Sequence, residues 1–286
     1  MYYTLDHMQD FDLTEMVNST TVVKYPYGYI PHRGINLTLL TVYAILSIVS
    51  ITSILQCFSS KHGKWMIRTA LVSAAVFAEL VAYVERTRSV DRPRNFNDFL
   101  IQLTLLNVAP AFLTAAISTS MYQLVKAIGP WNLRKRPKIC LLFVLLDLSA
   151  MAFIVFGSLT AFDRGPNGTG DQQHDIANMH EATSLFLQFI VATMVFQITS
   201  ICVFFALLMS VAHKAVRPMP KDFVFVMVAA GLLVLMRAIV RLTEGGLYTN
   251  EWIFVGFDSL LMICACSALM AGHPILTWND SLDIEL

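Results

Sequence analysis

The chain has 286 residues, of which 56% are hydrophobic and only 14% are charged. Soluble globular domains carry about 25% charged residues, so this composition points to a membrane protein. The formal net charge is zero. Such a balance gives no indication of a nucleic-acid partner or of a strongly acidic one.

A helix that crosses a bilayer needs about 20 predominantly apolar residues, and seven stretches of this chain meet that requirement. They lie at about 37–58, 67–85, 99–127, 139–161, 181–212, 223–243 and 252–272. The connections between them are too short to hold a soluble domain. The sequence therefore predicts an all-α polytopic membrane protein with a tail (1–36), a seven-helix transmembrane domain (37–273) and a short acidic tail (274–286).

The distribution of basic residues favours an N-terminus outside and a C-terminus inside. With this orientation, the inner connections hold more Lys and Arg than the outer ones, as the positive-inside rule expects. Two Asn-x-Ser/Thr sequons, at Asn18 and Asn167, then lie on the outer side. Both are candidates for glycosylation, which requires that location.

Charged and amide side chains within the spans are the first candidates for a functional interior. A charge at the centre of a bilayer costs roughly 3 kcal/mol or more unless it is paired or faces water. The candidate set is Glu79, Gln102, Asp147, Gln188, Arg237, Arg241, Glu244 and Asp258. Spacings of four and three place Arg237, Arg241 and Glu244 on one helical face. We expect these groups to gather in an outward-opening cavity, with Asp147 at a deeper position.

Each candidate also has a structural alternative. Arg86, Arg241 and Glu244 lie near a membrane surface, where long charged side chains snorkel to water. Arg237 and Asp258 are suited to a buried ion pair that locks the sixth and seventh helices together. The glutamines are typical of hydrogen bonds between helices. Pro110 removes a backbone donor in the third span and frees a carbonyl, which favours either a hinge or a packed kink.

Several short patterns occur together in this order. They are Glu79-x3-Tyr83-x2-Arg86, Gln102 followed by Ala109-Pro110-Ala111, Arg237-x3-Arg241-x2-Glu244-Gly, Glu251-Trp252 and Phe257-Asp258. Over about residues 37–275 the chain resembles the fungal lipid-translocating exporters, the RTA-like family of seven-span proteins. It departs from the family pattern at Ala82 and Glu85, where glycines are usual, and is similar to a divergent member.

This resemblance implies a transporter, exporter or flippase-like protein that moves lipid-like or toxic amphiphiles, such as sphingoid bases or sterol-like metabolites, across a fungal membrane. Resistance to such compounds would follow from efflux. The implied partners are an amphiphilic small molecule and the bilayer, and the implied location is the plasma membrane or, alternatively, a vacuolar or other endomembrane. Enzymatic activity, a cofactor and a nucleic-acid partner are not implied.

Two other classes remain open. A seven-helix lipid-sensing receptor would bind the same molecules without moving them, although the Asp-Arg-Tyr and Asn-Pro-x2-Tyr signatures of G-protein receptors are missing. A membrane metallohydrolase needs about three His or carboxylate ligands and an open coordination position. His62, His213 and His273 all lie at the predicted inner surface, where solvated histidines are common. We therefore predict no metal site.

Overall fold

The computed structural model describes residues 32–59, 65–91, 96–128, 138–163, 172–214, 221–243 and 251–272, and every regular element in these ranges is helical. The helices are α1 (Arg33–Ser59), α2 (Met66–Asp91), α3 (Phe96–Ile128), α4 (Lys138–Asp163), α5 (Gln172–Lys214), α6 (Lys221–Thr243) and α7. Helix α7 consists of Glu251–Phe254, a π-helical turn at Val255–Ser259, and Leu260–Ala271.

Each of these seven helices contains a segment that is long and apolar enough to cross a membrane, which confirms the predicted all-α, seven-span fold. Helices suit this solvent because they satisfy their backbone hydrogen bonds internally. Two helices extend well beyond the predicted spans. Helix α2 continues to Asp91 because Arg86 and Ser89 are still packed inside the bundle. Helix α5 has 43 residues and, at 1.5 Å per residue, is about 65 Å long, so it extends beyond a hydrocarbon core of about 30 Å.

Helix α3 is the central element of the bundle. It packs against α2, α4, α5 and α6, whereas α1 packs mainly against α2 and makes a smaller contact with α7. One apolar core joins α2, α3, α5, α6 and α7, and a second joins α3, α4 and α5. At the α4–α5 contact, a Cβ atom on Gly157 would lie 2.6 Å from the ring of Phe189. A residue without a side chain is therefore needed there for the two helices to approach.

The polarity of the fold is inverted relative to a soluble protein. Large apolar side chains are exposed around the periphery, among them Ile48, Phe58, Met209, Phe225 and Trp252. Four arginines are among the largest fully buried side chains, namely Arg68, Arg86, Arg237 and Arg241. Apolar side chains at the periphery can face lipid, and the few charged side chains of a membrane bundle are expected to face its interior.

Candidate functional site

Four charged side chains from three helices meet inside the bundle, and we call them the central cluster: Glu79, Arg237, Arg241 and Asp258. Asp258 Oδ1 lies 2.8 Å from Arg237 Nε and 3.2 Å from Arg241 Nη1. Glu79 interacts electrostatically with the other three. The exposed fraction of each side chain is 2% or less. The predicted Arg237–Asp258 ion pair is therefore confirmed, and Arg241 joins it instead of snorkelling to the surface.

Local helix geometry brings these groups together. Arg237 and Arg241 lie one turn apart on α6, so that both guanidinium groups reach the same carboxylate. Asp258 belongs to the π-helical turn of α7, in which the N–H of Leu260 donates to the carbonyl oxygen of Val255. A π turn contains an extra residue relative to an α-helical turn and occurs often at functional sites. The carbonyl oxygen of Ser259, in the same turn, accepts a hydrogen bond of 3.2 Å from the Tyr43 hydroxyl.

The central cluster is joined to α3 through a carbonyl group that Pro110 leaves without its helical hydrogen bond. Because proline has no backbone N–H, the carbonyl four residues earlier, that of Leu106, loses its helical donor. Arg237 Nη2 donates to that oxygen at 2.6 Å. The carbonyl that Pro110 leaves free thus binds Arg237, in agreement with the expectation that Pro110 frees a carbonyl for a neighbouring group. Helix α3 itself continues from Phe96 to Ile128, and the role of Pro110 as a hinge stays a prediction.

Glu79 differs from the other members of the cluster in its hydrogen bonding. Both of its carboxylate oxygens are buried, and neither forms a hydrogen bond within the part of the chain that the structure describes. The Tyr43 hydroxyl is near enough to Glu79 for a weak hydrogen bond, but its single donor hydrogen is directed at the Ser259 carbonyl oxygen. A buried polar group without a hydrogen bond costs several kcal/mol, and such groups are rare in folded proteins. Glu79 therefore has unused acceptor capacity in the middle of the bundle.

Hydroxyl groups adjoin the central cluster and form a second set, the tyrosine layer: Tyr43, Tyr83 and Ser259. The two tyrosine rings stack with centroids 5.2 Å apart and an interplanar angle of 19°. The Tyr83 hydroxyl forms a hydrogen bond with the Ser259 Oγ. These groups present hydroxyl oxygens within a layer that is otherwise aromatic, so they combine apolar contact with hydrogen-bonding capacity.

A second ion pair lies beyond the tyrosine layer, at the end of the bundle where α1 begins, which we call the His32 end. Arg86 Nε donates to Asn36 Oδ1 at 2.8 Å, and Arg86 Nη2 lies 3.6 Å from Glu251 Oε1. The guanidinium carbon is 4.2 Å from the centre of the Phe254 ring. The expectation that Arg86 snorkels is wrong, because α1 and α7 cover it and leave it 1% exposed.

Asp147 is buried in a different part of the bundle, between α3, α4 and α5. Ser118 Oγ donates to Asp147 Oδ2 at 3.3 Å, and the hydroxyls of Thr114 and Ser200 also face this carboxylate. These partners belong to α3 and α5, whereas the central cluster is built from α2, α6 and α7. The single cavity expected from the sequence is therefore replaced by two separate polar groups.

The remaining candidates have mixed positions. Gln102 is 2% exposed on α3. Gln188 is exposed on the surface of α5, so its predicted interior position is wrong; Leu187 and Ile190 occupy the packed face of that helix. Glu244 lies outside the described residues, as do the candidate glycosylation sites Asn18 and Asn167.

The central cluster also differs from the expected outward-opening cavity. Its four side chains are enclosed, because the ion pairs and the neighbouring aromatic rings fill the space around them. Sequence reasoning missed Tyr43 and Ser259, which carry no charge in an apolar stretch. It also missed Arg68, a buried arginine near the start of α2.

Comparison with known proteins gives a consistent family assignment. Residues 72–281 match the family model described as "RTA1 like protein". The chain is 22% identical to the sphingoid long-chain base transporter RSB1 of Saccharomyces cerevisiae strain Lalvin EC1118 / Prise de mousse, an alignment that covers 86% of this chain and 72% of the relative. The proteins of the same name from strains YJM789 and RM11-1a are 21% identical over the same shares. No solved structure matches the chain.

Proposed function

The chain belongs to the RTA1-like protein family, and we propose that it transports amphiphiles with a long apolar chain and an amine headgroup across the membrane. Relatives that are named sphingoid long-chain base transporters support this substrate class. A sphingoid base is a long-chain amino alcohol, so its headgroup offers an ammonium and hydroxyls. We extend the proposal to sterol-like and other hydrophobic toxic compounds, with export and resistance as the consequence.

The observation that carries the proposal is the unused acceptor capacity of Glu79. An ammonium group has three donors and no acceptor. Both oxygens of Glu79 are available to it, whereas Asp258 already binds two guanidinium groups. The hydroxyl oxygens of the tyrosine layer lie beside Glu79 and complement the hydroxyls of an amino alcohol. Gln102 and Asp147 are proposed as further polar contacts along the same bundle.

Transport also requires that the enclosed cluster opens. Transporter sites near the middle of the membrane are commonly formed where helices are interrupted, and access alternates between the two sides. In the described helices, the hydrogen-bond pattern is interrupted at Pro110 and at the π turn, Val255–Ser259. Pro110 frees the Leu106 carbonyl that binds Arg237, and the π turn carries Asp258, so bending at either position would move the charged groups. We propose Pro110 as one hinge of this motion.

The test uses the purified full-length protein in liposomes and a fluorescent sphingoid base added to one leaflet. We expect Glu79→Gln to slow its movement about tenfold or more, because hydrogen bonds to charged groups contribute roughly 1.5–3 kcal/mol. Glu85→Gln is the matched control: it changes the same residue type on the same helix at a position that pairs with exposed Arg88. Wild-type rates in folded Glu79→Gln protein would contradict the proposal.

The same preparation separates transport from sensing. A transporter moves the base between leaflets, and the rate saturates with concentration. Saturable binding to wild-type protein without any movement between leaflets would instead favour the receptor-like alternative. Comparing binding and movement for the Glu79→Gln and Glu85→Gln variants therefore tests the site and the activity separately.

A further inference from the structure

Asp147 differs from the other buried carboxylates of the bundle because no cation accompanies it. Asp258 and Glu251 form ion pairs with arginines, and Glu79 interacts with two of them. Asp147 is only 1% exposed, yet no Lys, Arg or His of the described residues lies within ion-pair distance of it. The groups that face it from the two neighbouring helices are hydroxyls, which neither carry charge nor titrate: Thr114, Ser118 and Ser200.

The basic residues at the ends of the neighbouring helices are remote from this carboxylate. Lys138 precedes Asp147 by nine residues on α4, and Lys126 follows Ser118 by eight on α3. At 1.5 Å per residue, these separations are about 13 and 12 Å along the helix axes. Tyr122, the nearest titratable residue along α3, packs against the first apolar core. An ionised carboxylate at Asp147 would be isolated from both water and cations, which costs far more than burial of a neutral carboxyl group.

The hydroxyls around Asp147 suit a protonated carboxyl group. Ser118 Oγ donates to Asp147 Oδ2 at 3.3 Å, whereas Oδ1 is buried and has no hydrogen bond of ordinary length within the described helices. The Thr114 hydroxyl is near enough for a weak interaction, but its single hydrogen is directed at the Ala111 carbonyl oxygen, 2.9 Å away. Toward Asp147, the Thr114 oxygen is therefore an acceptor. A protonated carboxyl group has one O–H donor, which such an oxygen accepts.

We propose that Asp147 is a proton-binding site and that its proton is exchanged for the ammonium group of the transported amphiphile. This inference specifies the polar role of Asp147 and rests on the proposed function. A proton neutralises the carboxylate without requiring a cavity, and the surrounding hydroxyls supply both a donor and an acceptor to the resulting acid. When the helices open to water, the O–H bond of Asp147 breaks, a water molecule takes the proton, and the carboxylate remains.

Charge balance gives the stoichiometry of the exchange. In the central cluster, two guanidinium groups face two carboxylates, so its net charge is zero when both acids are ionised. An ammonium group bound to Glu79 adds one positive charge to the interior, which is costly inside a membrane. Loss of one proton from Asp147 adds one negative charge. Exchange of one ammonium for one proton therefore leaves the charge of the interior unchanged.

Helix α3 connects the two sites through successive carbonyl groups. The Leu106 carbonyl accepts a hydrogen bond of 2.6 Å from Arg237, and the next carbonyl in the chain accepts one of 3.4 Å from Gln197 Nε2. Gln197 lies three residues before Ser200, so the two share a face of α5. Displacement of this turn of α3 thus moves a contact of the central cluster together with the helix face that supplies a hydroxyl to Asp147.

The first experiment tests the proton site without substrate or transport. Infrared spectra of the purified full-length protein in detergent, near neutral pH, separate the carbonyl stretch of protonated carboxyl groups from that of ionised carboxylates. We expect Asp147→Asn to remove the intensity of one carboxyl group from this band. Asp163→Asn, an exposed aspartate at the end of the same helix, should leave it unchanged. Ser118→Ala removes the donor to Oδ2, so the band should shift to higher frequency even if Asp147→Asn fails to fold.

The second experiment tests the exchange. Binding of a sphingoid base is measured by calorimetry between mildly acidic and neutral pH, where the free base already carries its proton. Binding and proton release are linked reciprocally, and release of one proton corresponds to a change in affinity of about tenfold per pH unit. We expect the affinity of the wild type and of Asp163→Asn to rise with pH at about this slope. The affinity of Asp147→Asn should be independent of pH.

The two experiments fail in distinguishable ways. An unchanged band in folded Asp147→Asn, or an unshifted band in Ser118→Ala, would overturn the proton site, because Asp147 would then be ionised. Equal slopes for the wild type and Asp147→Asn would overturn the exchange. If the wild type did not bind the base at all, the proposed function and the exchange would both be refuted. The infrared band would still decide whether Asp147 carries a proton.

Discussion

Removal of the Asp258 carboxylate is the sharpest test of the central cluster. Its Oδ1 atom binds both Arg237 and Arg241 inside the bundle. In an Asp258→Asn variant, two buried guanidinium groups lose their shared anion, and each retains a charge that water does not reach. Removing one partner of a buried ion pair costs about 3–5 kcal/mol in proteins. We expect a loss of that size in the free energy of unfolding.

Glu79→Gln is the comparison that makes this prediction specific. It replaces a carboxylate of the same cluster with an isosteric amide, but Glu79 loses at most its contact with the Tyr43 hydroxyl. The weaker electrostatic attraction is offset because a desolvated charge disappears, so the expected cost is about 1 kcal/mol or less. Both variants are measured by reversible unfolding in mixed detergent micelles, with helicity followed by circular dichroism.

A double variant tests the interaction between Asp258 and Arg241 directly. Asp258→Asn combined with Arg241→Gln removes one of the two guanidinium groups that the single substitution leaves unpaired. We expect the double variant to be at least as stable as Asp258→Asn alone, with a coupling energy of about 1–3 kcal/mol. Equal losses for Asp258→Asn and Glu79→Gln, or simple additivity in the double variant, would refute the arrangement of charges described above.

Three other predictions follow from the same structure. Pro110→Ala restores a backbone N–H to α3, so we expect unchanged or higher thermal stability and slower transport of the fluorescent base; faster transport would argue against a hinge. Gln102→Leu should lower transport or stability because this side chain is buried, whereas Gln188→Leu should leave both within error because Gln188 faces outward. For the predicted orientation, Asn18→Gln and Asn167→Gln should each remove a glycosidase-sensitive mass shift of the protein expressed in yeast. A shift that persists in the combined variant would place the glycan elsewhere.

The helices were predictable because their signal is local. A run of about 20 apolar residues is sufficient to identify a span, and all seven were found in this way. The Arg237–Asp258 pair was also predictable from the sequence, since opposite charges at similar depth in consecutive spans have few other partners. The sequence does not predict which face of α5 points into the bundle, because nearly all of its faces are apolar and no amphipathic pattern distinguishes them. For that reason Gln188 was assigned to the interior although it lies on the surface.

The sequence also did not predict how deeply the arginines at the two ends of α2 are buried. Arg68 and Arg86 lie near the predicted ends of the second span, where an arginine is ordinarily solvated. In the structure α2 is longer than this span and is covered at both ends by α1 and α7, so both arginines are enclosed. The π turn that carries Asp258 has no clear sequence signal. Its effect appears only in three dimensions, where Ser259 meets Tyr43 and Tyr83.

The proposed opening of the central cluster has to break contacts of Arg237. Arg237 binds Asp258 in α7 and the Leu106 carbonyl in α3 at the same time, so it ties three helices together. Movement of α7 away from α3 has to break one of these contacts and leave a buried polar group unsatisfied. A ligand shifts such an equilibrium only by the difference in its affinity for the two states. In the proposed function, an amine that binds Glu79 would provide this difference, because the enclosed cluster has no space for the headgroup and Glu79 would offer it a carboxylate after opening.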